Sequence, residues 1–444
     1  MRDDAPLLAV LRKYAATPAP RYTSYPPATR FSDAVDAATV RNWLAATDPG
    51  RPVSLYAHVP FCRQQCWYCG CNQKLAARYE PVAAYVTTLL QEIDLVGGIL
   101  PPGLSFAHLH FGGGTPTVLR PEDLALVMEV LLERFRPLPD AEIAIEIDPR
   151  TLADEMVRRL PRMGFNRVSI GVQEFDPTVQ AAINRIQPRA MIADLTAALR
   201  DEGIAAINFD LMYGLPHQSS ASLVETVKAC ADMRPDRIAL FGYAHVPWFA
   251  KSQRLMPEEA MPGPDGRAAQ ALAARRALEA EGYVAIGIDH FALPHDPLAV
   301  AAAQGRLHRN FQGYTTDEAT TLIGLGASSI TRTPHGYAQN IAETNAWTRA
   351  VEAGQLPVER GLLFGADDVT RGTLIEQLLC TGRVHASAIT GALEAVEPLA
   401  ADGLVTVEGD DLVLSEAGMM LARVVATRFD AYQASITGRQ AMAL

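Results

Sequence analysis

Four of the six cysteines, Cys62, Cys66, Cys69 and Cys71, fall within one stretch, HVPFCRQQCWYCGCNQ. In a reducing compartment so dense a cluster reads as a metal site rather than as disulfides. Its spacing is C-x3-C-x2-C-x-C. Structural zinc sites usually draw ligands from two short Cys/His elements well separated in sequence, and no second pair is present. Soft thiolates also suit iron–sulfur clusters. Three thiolates on a four-iron cluster leave one iron open to another ligand. An iron–sulfur site is the preferred reading, with zinc as the alternative. Cys230 and Cys380 are solitary in apolar helical surroundings and read as small buried hydrophobes.

Other residues break the pattern of their surroundings. Gly112-Gly113-Gly114-Thr115 lets backbone approach a ligand closely, or is a plain tight turn. No GK[ST] follows, so it is not a nucleotide P-loop. Glu146 lies in an apolar run, and so does Asp210. A carboxylate there needs a cation, a structural ion pair or a ligand that donates hydrogen bonds. Tyr56 and Tyr68 flank the cysteine loop as core aromatics or as ligand contacts. GLGASS at 324–329 lacks the full dinucleotide spacing and is discounted.

Six apolar runs must position these residues: 53–59, 105–111, 142–147, 167–173, 206–213 and 237–244. Amphipathic stretches with i, i+3, i+4 spacing separate them. Alternating strands and helices imply a parallel sheet covered by helices, an α/β fold. The cysteine loop, the glycine run, Glu146 and Gln173 follow or end successive strands, and Tyr243 and Ala244 end the sixth. In a β/α barrel those ends share the catalytic face. Six strands predict an incomplete (β/α)6 barrel with an open side. A seventh strand is expected at 283–291, after a helix at 267–281.

The expected domains are an N-terminal extension or flap (1–50), the barrel (51–295), a segment completing the pocket (296–365) and a C-terminal unit (366–444). The last reads as a helix at 367–380, a helix at 385–399, the hairpin LVTVEGDDLVL and a helix after Ser415, a mostly helical, winged-helix-like order. It holds 11 acidic and 5 basic residues, which argues against DNA and for a structural or substrate-covering lid. The whole chain of 444 residues carries a net charge of −11, so no nucleic-acid or anionic-membrane surface is expected. No targeting or membrane-spanning segment is read, which predicts a cytoplasmic protein.

RYTSYPP, YAHVPFC, CGCN, HFGGGTPT, IEIDPR, GVQEFD, NRIQP, INFDLMYGLP and FGYAHVPW together resemble the oxygen-independent coproporphyrinogen III oxidase family of the radical S-adenosylmethionine (SAM) superfamily. A weaker likeness continues through HRNFQGY and IGLGASSI. The resemblance implies a [4Fe–4S] cluster on Cys62, Cys66 and Cys69, and two SAM molecules. It implies that Tyr56, Tyr68, Gly113, Glu146, Ala244 and Ile330 contact the cluster-bound SAM. Gly114, Thr115, Gln173, Arg185 and Asp210 would contact the second. Cys71 matches the family's fourth cysteine and carries no assigned role.

The implied substrate is coproporphyrinogen III, with an electron donor such as flavodoxin and its reductase, acting on a monomer. Arg21, Arg30, Lys74, Arg78, His308 and Arg309 are candidates to hold its four carboxylates, and residues 22–25 to form a flap. The rivals are a haem chaperone of the superfamily, a two-SAM methylase or cyclopropanase, and a zinc-stabilised scaffold.

Overall fold

The computed structural model describes residues 3–444 except 386, 388, 390 and 434–441. Six strands follow the expected runs: β1 (Val53–Val59), β2 (Ser105–Gly113), β3 (Arg136–Ile147), β4 (Arg167–Gln173), β5 (Ala206–Tyr213) and β6 (Arg237–Gly242). They lie side by side in chain order, all parallel. Helices Glu80–Gly97, Pro121–Arg134, Arg189–Asp201 and Ser220–Asp232 supply crossovers. Their starts carry local signals. Pro121 stands in the first turn, where no backbone donor is needed. Ser219 and Ser222 cap each other's backbone.

The sheet continues beyond these six. The run at 283–291 folds not as one strand but as a hairpin, β7 (Val284–Ile286) and β8 (His290–Ala292), and β8 pairs antiparallel with β6. The break is at Gly287, which has φ +58° and no room for a Cβ against Tyr314. On the other side β9 (Leu322–Leu325) joins β1 in parallel. Antiparallel strands β10 (Ile330–Thr333), β11 (Gly336–Asn340) and β12 (Val358–Leu363) follow. The twelve-stranded sheet is open, with edges at β12 and β7.

Strand alternation divides the residues between two faces. In β5, Ile207, Phe209, Leu211 and Tyr213 are buried, while Asn208 and Asp210 point to a cavity of about 190 Å³ inside the curved sheet. The floor of that cavity is plugged by ions: Arg167 Nε donates to Glu142 Oε2 at 2.8 Å, and Arg237 Nε to Asp296 Oδ1 at 2.7 Å. Burial pushes the Glu142 carboxyl up, but Arg167 and Arg237 outweigh it and hold it down at about 2.

In the C-terminal part, Ala366–Thr381 is helical, as expected. The helix expected at 385–399 instead begins at Ala392, because Gly391 at φ +76° blocks its backward extension. Arg383–His385 pair as a strand with Asp411–Leu414, which also pair with Val405–Glu408. That expected helix also covers 386, 388 and 390, which lie outside the described residues, as do 434–441 of the C-terminal unit.

Candidate active site

The cysteine loop leaves β1 and closes on itself where Phe61–Cys62 pair in parallel with Lys74–Leu75. Trp67 N donates to Ile183 O at 3.0 Å, and Asn184 Nδ2 to Gln65 O at 2.7 Å, tying the loop to the segment after β4. Three sulfurs accept hydrogen bonds. Cys66 Sγ takes Arg150 Nη2 at 3.1 Å and Arg185 Nη1 at 3.2 Å. Cys62 Sγ takes Thr115 Oγ1 at 3.4 Å, and Cys69 Sγ takes Cys71 N at 3.5 Å. The Cys71 hydrogen bond draws the Cys69 thiol down to about 7, whereas Cys71 is held well above its ordinary value. Burial pushes Cys62 up to about 12.

The donor set fits a four-iron cluster: Cys62, Cys66 and Cys69 lie on one loop, and their sulfurs accept from two guanidiniums, a hydroxyl and a backbone N–H.

Beside the loop, the glycine run is packed too closely for side chains. A Cβ on Gly114 would lie 2.6 Å from Phe61 O. One on Gly113, at φ +116°, would lie 2.6 Å from the His58 ring. Gly113 N donates to Glu146 Oε2 at 3.2 Å, and His110 Nε2 lies 3.2 Å from Glu146 Oε1. Tyr56 OH lies 3.0 Å from His58 Nδ1, and its ring stacks on His110 with centroids 6.0 Å apart. Glu146 is neither unpaired nor locked in an ion pair with Arg or Lys. Its side chain remains 41% exposed, open to a donor from the cavity.

Arg185 is buried, and Nη2 donates to Gly171 O at 2.5 Å and lies 3.5 Å from Asp148 Oδ1. Gln173 adopts φ +66° and crowds Gly171, where a Cβ would meet its Nε2 at 3.0 Å. Asp210 accepts Ser169 Oγ and Asn208 Nδ2, each at 2.9 Å. Burial, with repulsion from Glu146, raises the Asp210 carboxyl. Asp210 and Glu146 line the same cavity.

Tyr68 and Ala244 meet through Gln253, whose Nε2 donates to both backbone carbonyls at 2.8 and 3.2 Å. Ile330 opens β10, where its carbonyl oxygen would lie 2.6 Å from a Cβ on Gly324, the residue paired in register with Tyr56.

Sequence reasoning missed Asp148, Arg150, His58, His110 and Gln253. Asp148 accepts Arg150 Nε at 2.9 Å and Nη2 at 2.6 Å. Burial pushes its carboxyl up, but Arg150 and Arg185 outweigh it and hold it below the usual range. The signal was the acid–base pair in IEIDPR. The carboxylate-binding candidates separate. Arg21 and Arg309 line cavities. Lys74 pairs with Glu343 and Thr344, Arg30 stacks on Tyr432, Arg78 is exposed, and His308 Nδ1 meets Glu376 at 3.1 Å. GLGASS is structural: Gly326 N donates to buried Glu92 at 2.6 Å.

An open parallel β/α sheet with a three-cysteine loop at its C-terminal ends defines a radical SAM enzyme. Residues 56–230 match the Radical SAM superfamily model. The oxygen-independent coproporphyrinogen III oxidase of Bradyrhizobium diazoefficiens is 46% identical over 93% of this chain and 94% of its own length. The enzyme of the same name from Paracoccus denitrificans is 43% identical, covering 95% and 96%. The solved coproporphyrinogen III oxidase HemN of Escherichia coli, described as a radical SAM enzyme, superposes with a TM-score of 0.89 at 37% identity, covering 93% and 97%. The chain belongs to the oxygen-independent coproporphyrinogen III oxidase family. Among the described residues no helix is long and apolar enough to cross a membrane.

Proposed function

We propose that the protein converts two propionate side chains of coproporphyrinogen III to vinyl groups, giving protoporphyrinogen IX in haem biosynthesis. Each conversion removes one hydrogen atom from the β-carbon, one carbon dioxide and one electron, which passes to an external one-electron acceptor. The observation that carries this reading is the three-cysteine loop set beside a cavity lined by Glu146 and Asp210, in a chain of this family. When bound, the cluster and SAM supply the 5′-deoxyadenosyl radical that abstracts the hydrogen.

The chain's own residues hold and orient. Cys62, Cys66 and Cys69 ligate the cluster, and Arg150 and Arg185 stabilise the Cys66 sulfur. Glu146 offers its exposed carboxylate to SAM hydroxyl or amino groups, in a pocket shared with Tyr56, Tyr68, Gly113, Ala244 and Ile330. Gly114, Thr115, Gln173, Arg185 and Asp210 serve a second SAM. Asp210, already carrying two internal donors, accepts further ones from that ligand. The reading includes a flavodoxin-type electron donor and a monomeric, cytoplasmic protein.

The test is anaerobic turnover of reconstituted enzyme with SAM, a low-potential reductant and coproporphyrinogen III, with products analysed by mass. Loss of two carbon dioxide equivalents is expected. Deoxyadenosine without any vinyl product overturns the reading in favour of another radical SAM reaction.

A further inference from the structure

A cavity of about 240 Å³ lies at the end of β6, and three guanidiniums, Arg21, Arg309 and Arg423, line it against one side-chain carboxylate among the described residues, Asp289, with Ala443 and Leu444 also on its wall. Their neutralisation is incomplete. The Arg309 side chain is 6% exposed, and its Nη1 is 3.7 Å from Asp289 Oδ1. Among the described residues its Nε and Nη1 have no hydrogen-bond partner. Asp289 is shared with His290, whose Nδ1 lies 2.7 Å from it. Among the described residues Arg423 donates to the main-chain oxygens of Met442 and Ala443, and Arg21 to Gly242 O at 2.9 Å. Burial pushes Arg423 down to about 10, and repulsion from Arg21 adds to this. Three guanidiniums sharing one side-chain carboxylate leave an excess of positive charge that is costly when removed from water, so this volume favours an anion.

The shape of the site selects the anion. Leu240, Phe241 and Met420 give it an apolar wall that suits methylene groups. Phe241 and Gln312 also line the cavity that holds Glu146 and Asp210. Thr23, Arg309 and Phe311 also line a larger cavity of about 430 Å³. That larger cavity carries four carboxylates, Asp317, Glu318, Asp368 and Glu376, which outnumber its guanidiniums, Arg309 and Arg332, and one of which, Glu376, is engaged by His308. A molecule reaching from Glu146 outward therefore finds its excess of positive charge in the smaller cavity.

We propose that Arg21, Arg309 and Arg423 form a carboxylate subsite that holds a propionate arm of the tetrapyrrole other than the one being decarboxylated. The inference rests on the reaction proposed above and assigns one anchoring site for its substrate. Bidentate guanidinium contacts fix the arm, and the ring system is thereby set against the SAM cavity.

The test uses full-length, cluster-reconstituted enzyme under anaerobic conditions, with Arg423→Gln, Arg423→Lys and Arg21→Gln. Arg21 is exposed, so its variant guards against a folding defect in the half-buried Arg423 variants. Iron content, SAM affinity and KM for coproporphyrinogen III are measured. Binding without reductant is compared for coproporphyrinogen III and its tetramethyl ester. The expected result is a KM increase of about tenfold for Arg423→Gln and about threefold for Arg21→Gln, matching loss of charge-assisted hydrogen bonds. Arg423→Lys recovers part of the loss. Iron content and SAM affinity stay unchanged, and the preference for free acid over ester shrinks in both Gln variants.

Wild-type KM and acid preference in both Gln variants overturn the subsite while leaving the reaction standing. A wild-type enzyme that neither binds nor converts coproporphyrinogen III overturns the reaction, and the subsite with it.

Discussion

Arg185 Nη1 donates to Cys66 Sγ at 3.2 Å across 119 residues of chain, and Arg150 Nη2 reaches the same sulfur at 3.1 Å. Hydrogen bonds to a ligand sulfur favour the more negative, reduced state of an iron–sulfur cluster. Arg185→Met should lower the cluster midpoint potential by something on the order of tens of millivolts. An EPR-monitored redox titration measures it, and an unchanged potential would count against this tuning role.

The loop separates three ligands from one bystander. Cys62→Ser, Cys66→Ser and Cys69→Ser should each abolish assembly of an intact cluster, because each removes one of three protein ligands. Cys71→Ser should retain it, because Cys71 serves Cys69 as a hydrogen-bond donor through its side chain and its backbone N–H, and serine can donate through both. Visible absorption and acid-labile sulfide after anaerobic reconstitution distinguish the two groups.

Glu146 and Gly114 test the SAM side independently of the metal. Glu146→Ala should weaken SAM binding by about tenfold to a hundredfold, the effect of one or two hydrogen bonds to a charged acceptor, with iron content unchanged. Gly114→Ala forces a methyl to 2.6 Å from Phe61 O and should cost about 1–3 kcal/mol of stability. Equilibrium dialysis with SAM and thermal melts of reconstituted protein measure these. Wild-type affinity in Glu146→Ala would remove it from the binding site.

Glu92 supplies a pH test. It is 1% exposed and accepts Gly326 N and Asn340 Nδ2, each at 2.6 Å. Burial nonetheless pushes its carboxyl from the ordinary 4.5 up to about 7. The folded protein therefore holds this proton more tightly than the unfolded chain. The resulting stabilisation is complete below pH 4.5 and is lost as pH rises toward 7, amounting to about 3 kcal/mol. Denaturation of wild type and Glu92→Gln between pH 4.5 and 8 isolates this slope. Equal slopes in the two proteins would contradict the shift.

Much of the frame was readable beforehand. The six parallel strands carry apolar runs long enough to register without neighbours. The hairpin at 284–292 was misread because β-branched and aromatic residues continue through Gly287, whose turn is imposed by Tyr314. Strands β9 to β12 escaped notice because they are short, and only pairing with β1 and with each other stabilises them.

The amino-acid sequence alone determined the metal chemistry: three thiolates within eight residues of one loop, because bond-forming atoms that close together need little of the fold to bring them to one place. It also determined the glycine run, since only missing side chains permit so close an approach. Tertiary structure alone decided which guanidiniums matter. Arg78 and Arg309 are the same residue type, yet one is exposed and the other is buried beside Asp289. A long charged side chain acquires its role from dielectric and partners, and those are set by how separate strands and loops pack together.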